Sequence, residues 1–118
     1  MYPLFGIINI EITLRGDVKV IKHIILWNFQ EGKGSEEDKL KIKNELEGLK
    51  DKIPGIIKIE VVTTPIAGSN ADIMLNSTFE SIEDLNNYQV HEEHIKVAEF
   101  VRSITCNRMC MDFFSVDD

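Results

Sequence analysis

Residues 20–29 read VIKHIILWNF, and this stretch decides the fold. β-Branched and aromatic residues dominate it, which favours a strand. Side chains alternate along a strand, so Ile21, His23, Ile25, Trp27 and Phe29 share one face, while Val20, Lys22, Ile24, Leu26 and Asn28 share the other. Both faces are largely apolar. Such a strand belongs in the middle of a structure, with one face covered by the chain's own helices and the other by a further layer that a second subunit can supply.

Downstream of this strand, Ser35-Glu36-Glu37-Asp38 has the form of a helix start, with a serine N-cap and an acid at the third helical position. The helix is expected to reach about Lys52 before Pro54-Gly55 ends it. Leu40, Ile42, Leu46, Leu49 and Ile53 form its apolar stripe, and Gly48 inside it suggests close packing. Two strands follow, about Ile56 to Thr64 and Asp72 to Glu80, joined through Pro65 and Ala67-Gly68-Ser69-Asn70 as an antiparallel hairpin. Ile57, Ile59 and Val61 are expected on one face of the first, and Ile73, Leu75, Ser77 and Phe79 on one face of the second.

Ser81-Ile82-Glu83-Asp84 repeats the helix-start pattern, which predicts a short helix over about Ile82 to Tyr88 and another over about Glu92 to Ile104. On the second of these His94, Val97, Ala98, Val101 and Ile104 share the inward side, whereas Lys96, Glu99 and Arg102 face water. A last strand, about Arg108 to Ser115, alternates Met109, Met111 and Phe113 with Cys110, Asp112 and Phe114. The order is that of an α+β, ferredoxin-like βαββαβ antiparallel sheet with helices on one face. One sheet face is left bare. A homodimer that closes two such sheets over each other, a dimeric α/β barrel, solves this. Residues 20–118 form the domain, and 1–19 an N-terminal extension in which Ile8, Ile10, Ile12 and Leu14 alternate as in an extra edge strand.

The chain has 118 residues, 20 acidic and 13 basic, for a formal charge of −7. No basic stripe is present to neutralise phosphates, so nucleic acid and anionic membrane are poor partners. No apolar run approaches the ~20 residues that span a bilayer, and the N-terminus does not read as a signal peptide. A soluble, cytoplasmic protein is expected. Cys106 and Cys110 are too few for a disulfide framework or a four-cysteine zinc site and read as reduced thiols.

Chemistry-bearing residues gather between Thr78 and Arg102, where Tyr88, His91 and His94 surround a helix start beside an apolar wall. His23 lies with Ile25 and Trp27 on one strand face, and Trp27, Phe79 and Val97 are candidates to line a pocket with His23 and His91. His91 and His94 stand three apart, but HEEH lacks the zinc-protease spacing and no third ligand can be named, so no metal is assigned. His91 reads as a helix-start residue bonded to nearby backbone or a carboxylate. No cofactor is expected.

Lys22-His23-Ile24-Ile25-Leu26-Trp27, Ile53-Pro54-Gly55-Ile56, Phe79-Glu80-Ser81, Tyr88-Gln89-Val90-His91-Glu92-Glu93-His94, Val97-Ala98-Glu99-Phe100-Val101-Arg102 and Asp112 occur in the order seen in stress-responsive A/B barrel (Dabb) domains, which the chain resembles from about Val20 to Phe114. The resemblance implies a dimeric α+β barrel. It also implies a mechanism from one branch, the plant polyketide cyclases, in which a tyrosine and a histidine serve as an acid/base pair. Tyr88 and His94 fall on those positions, His23 on a further pocket histidine, and His91 on the histidine three residues before His94. Glu92 replaces a proline usual after that residue, which puts the helix start and the aim of His94 in question. A neutral imidazole can take a proton beside a carbonyl while a phenol bonds the developing enolate oxygen. Three function classes remain: a small-molecule-binding domain for an apolar or carbonyl-containing ligand, a cofactor-free lyase or cyclase using His94 and Tyr88, and a non-catalytic dimeric interaction module. Monooxygenases of the same barrel superfamily are a further option by fold analogy.

Overall fold

The computed structural model describes residues 19–116. The elements run β1 (Lys19–Phe29), α1 (Glu36–Glu47), β2 (Ile56–Val62), β3 (Ile73–Phe79), α2 (Ile82–Val90), α3 (Glu92–Ile104) and β4 (Thr105–Val116), with a 3-10 turn at Gly48–Asp51 after α1. The strands form one sheet in the order β2-β3-β1-β4, every neighbouring pair antiparallel. This is the ferredoxin-like arrangement, with β1 central as its two apolar faces require. The alternating pattern at Ile8 to Leu14 lies outside the described residues.

The capping box at Ser35 forms, with the Ser35 hydroxyl accepting from the Asp38 N–H and the Asp38 carboxylate accepting from the Ser35 N–H. Ser81 likewise caps α2 by accepting from the Asp84 N–H. The first helix differs from expectation at its far end: the α-helix stops at Glu47 and tightens into the 3-10 turn. Gly48 sits there at an ordinary helical φ of −65° with open space where a Cβ would lie, so no close packing explains it. Leu40, counted in the stripe, is 59% exposed, whereas Ile42, Leu46, Leu49 and Ile53 are buried. Leu40 and Ile42 are two positions apart, about 200° around a helix, which takes Leu40 off the buried face.

In β2 the faces shift. The pairing runs Ile56 to Phe79 and Lys58 to Thr78, so Ile57 is an extra residue in a bulge. Ile56 therefore turns inward with Ile59 and Val61, and Ile57 turns out.

The helices cover one sheet face. Ile21, His23, Ile25 and Trp27 of β1 are buried there with Ile73, Leu75, Ser77 and Phe79 of β3, against Ile42 and Leu46 of α1 and Val97, Val101 and Ile104 of α3. The Ser77 hydroxyl donates to the buried His23 carbonyl at 2.8 Å, a bond that accompanies the β1–β3 register. Among the described residues nothing covers the opposite face. Lys22, Ile24 and Leu26 pair there with Phe113, Met111 and Met109, of which Met109 is 70% and Met111 67% exposed. Among the described residues no helix is long and apolar enough to cross a membrane.

Candidate functional site

Between the helix-covered face of β1 and the helices α2 and α3 lies a cavity of about 430 Å³, within the usual range for small-molecule sites. His23, Ile25, Trp27, Leu46 and Leu75 line it from the sheet and α1, Tyr88 and Gln89 from α2, and His94, Ala98, Val101 and Arg102 from α3. The entry of β4 closes one side with Thr105, Cys106, Asn107 and Arg108.

Tyr88 is fully buried, and its hydroxyl has no hydrogen-bond partner among the described residues. Its ring is 4.9 Å from Phe79 and 4.3 Å from His94, centroid to centroid, and meets His23 edge-on at 6.1 Å. Burial pushes the phenol well above its ordinary pKa, so it stays protonated as a donor.

His91 separates α2 from α3 in an extended conformation, and its Nδ1 accepts from the Glu93 N–H at 3.0 Å. It is an N-cap, as the sequence suggests, and α3 begins at Glu92 despite the missing proline. One turn on, the His94 Nδ1 lies 3.2 Å from the Gln89 carbonyl at the end of α2. A carbonyl can only accept, so that nitrogen carries the proton and Nε2 of the neutral ring keeps its lone pair. Burial is the main influence that pushes the His94 pKa below its ordinary 6.5, and the charges of His23, Arg102 and Arg108 add to it against the Gln89 bond. The imidazole is therefore neutral at pH 7, in the form of a base.

His23 is only 2% exposed, and its Nδ1 lies 2.5 Å from a carboxylate oxygen of Asp112. The β1–β4 register places these residues opposite each other, His23 with Asp112. Cys110, two residues back on the same face of β4, brings its Sγ within 3.8 Å of His23 Nδ1 and 3.4 Å of Asp112 Oδ1. Burial and the Asp112 carboxylate hold this thiol above its ordinary pKa, which keeps it protonated. His23, Cys110 and Asp112 could offer three ligand atoms to a metal ion. The 2.5 Å separation argues for a hydrogen bond, since two ligands on a tetrahedral zinc sit roughly 3.3 Å apart.

The structure thus gathers Tyr88, His94, His23 and Trp27 around one cavity. Phe79 stands behind Tyr88 and His23 rather than at the wall, Val97 packs in the core beside it, and His91 caps α3, so these three do not line it. Arg102, assigned to water, is exposed yet forms part of the mouth. The spacing His94, Ala98, Arg102 carries that signal, because every fourth residue of a helix falls on one row. Arg108, Asn107 and Cys106 were beyond sequence reading. The pairing skips from Leu26–Met109 to Asn28–Cys106, and Asn107 takes a left-handed φ of 54° at this bulge. Such irregularities often re-aim side chains beside functional sites.

A model of the stress responsive A/B barrel domain matches residues 21–115. The chain belongs to this family. Among solved structures, the A/B barrel chain is 30% identical to a dimeric protein of unknown function with a ferredoxin-like fold from Bacteroides fragilis, over 80% of this chain and 94% of that one, with a TM-score of 0.67. A protein from Arabidopsis thaliana is 21% identical over 83% and 97% of the two chains, with a TM-score of 0.72. A hydroxynitrile lyase from Passiflora edulis is 13% identical over 84% and 95%, also at 0.72. The last two likenesses speak to the fold alone. No curated protein matches the A/B barrel chain significantly.

Proposed function

We propose that this A/B barrel protein binds a small carbonyl compound in the cavity between sheet and helices, and that His94 and Tyr88 move a proton on it without a cofactor. The observation that carries the reading is Tyr88, which lines a cavity together with the neutral imidazole of His94 and whose buried hydroxyl has no partner among the described residues. Buried polar groups nearly always find partners, so an unused donor beside a cavity favours a ligand as the missing acceptor. His94 Nε2 takes a proton from the carbon next to the carbonyl. The Tyr88 O–H donates to the oxygen on which the charge accumulates, and the imidazolium returns its proton to the product.

The working unit is a homodimer in this proposal. The exposed face formed by Leu26, Met109, Met111 and Phe113 is the surface a second copy would cover, and the Bacteroides fragilis relative is dimeric. A cytoplasmic setting suits the free thiols of Cys106 and Cys110.

Backbone amide NMR shifts on titration with acetophenone test the site. The shifts should centre on Tyr88, Gln89, His94 and Ala98 and vanish in a folded Ala98→Phe variant. Absence of shifts, or shifts centred on the open sheet face, would count against the cavity.

A further inference from the structure

We propose that the cavity selects an anionic ligand, a small carbonyl compound carrying a carboxylate that Arg102 and Arg108 hold at the mouth. This rests on the cavity reading above and adds the ligand's charge. The chain is acidic, at 20 acidic against 13 basic residues, yet among the described residues no Asp or Glu lines the cavity, while Arg102 and Arg108 do. A carrier of net charge −7 would repel anions from most of its surface; here two positive groups line the cavity itself.

Neither arginine pairs with a carboxylate among the described residues. Lys39, Lys41, Lys43, Lys52 and Lys96 all do, with Glu36, Glu45, Glu47 and Glu93 on the outer surface. Arg108 has a thiol, Cys110, as its neighbour. Both arginines line the same cavity as His94, and their charges act on its ring.

Local structure accounts for the placement. Arg102 follows His94 and Ala98 on one row of α3, and the small Ala98 between them leaves the cavity open. Arg108 shares the helix-side face of β4 with Cys110 and Asp112 by strand alternation, next to the bulge at Asn107. A guanidinium offers a planar fork of donors that matches a carboxylate in two bonds, which an amide cannot reproduce with the same strength. A ligand anchored by its carboxylate at the mouth extends its carbonyl inward toward Tyr88 and His94.

The test compares 4-acetylbenzoate with 4-acetylbenzamide, which has the same shape without the charge, by calorimetric titration at low salt. The carboxylate should bind roughly ten-fold or more tightly, and the preference should shrink as salt rises. It should disappear in Arg102→Gln/Arg108→Gln and return in part in Arg102→Lys/Arg108→Lys, each variant checked for native circular dichroism. Equal binding of the two probes overturns the charge assignment and leaves the cavity reading standing. A preference that survives in the double glutamine variant overturns it as well. Binding of neither probe overturns both.

Discussion

Replacing Tyr88 with Phe is the perturbation that separates function from stability most sharply. The ring loses none of its contacts: Phe79 at 4.9 Å, His94 at 4.3 Å and His23 at 6.1 Å remain, measured between centroids. What disappears is one hydroxyl that is buried and has no partner among the described residues. Leaving a polar group dry and unbonded costs roughly 1–3 kcal/mol, and the lost dispersion of a single oxygen offsets a fraction of that. Tyr88→Phe should therefore stabilise the protein by about 1 kcal/mol, or about 4 °C in Tm for a chain of this size. The assay is urea unfolding followed by the fluorescence of Trp27, the single tryptophan, at a fixed protomer concentration because association contributes to apparent stability. A stabilised variant that no longer acts on ligand marks a residue kept for chemistry against its stability cost. A loss of more than about 0.5 kcal/mol would refute the reasoning, since it would mean that the hydroxyl holds a bond in the folded protein.

Other perturbations follow from the same geometry. Ala98→Phe fills the space between His94 and Arg102; it should weaken acetophenone binding more than ten-fold while changing stability by no more than about 1–3 kcal/mol, an overpacking cost read by urea unfolding. Met111→Lys is a surface change in a lone protomer, worth within about 0.5 kcal/mol, but between two closed sheets it buries an unpaired charge at several kcal/mol. Sedimentation should then show the variant as monomer where the parent is dimer; an unaltered dimer would place the interface elsewhere.

Most of the architecture was legible because single residues carried it. The two apolar faces of residues 20–29 put β1 at the centre, and Ser35 and Ser81 announced their helices through caps that form as read. Tyr88, His94, His23 and Trp27, the candidates that motif and strand face suggest, also share the cavity. The failures arise where alternation or helical period is broken. One extra residue at Ile57 reverses which of its neighbours is buried, and a tightened turn at Gly48 shortens a helix without any change in composition. Partnerships across the sheet were out of reach for a different reason. His23 and Asp112 are 89 positions apart, and only the β1–β4 register brings them to 2.5 Å. The family resemblance includes Asp112, yet nothing local shows what it touches. The arginine mouth was missed because exposure to water and facing a cavity are the same thing at a rim, and periodicity reports only the first.

The most direct test of the central claim, that a neutral His94 acts as a base in this cavity, is deuterium uptake from D2O into the methyl group of acetophenone, followed by proton NMR across pH. Since the His94 pKa is pushed below 6.5, the base form predominates at pH 7. The catalysed rate should be flat at and above neutrality, fall on the acid side below that ordinary value, and drop to the uncatalysed level in a folded His94→Ala variant. Uptake that is undiminished in His94→Ala, or no faster with the protein than without it, would contradict the account.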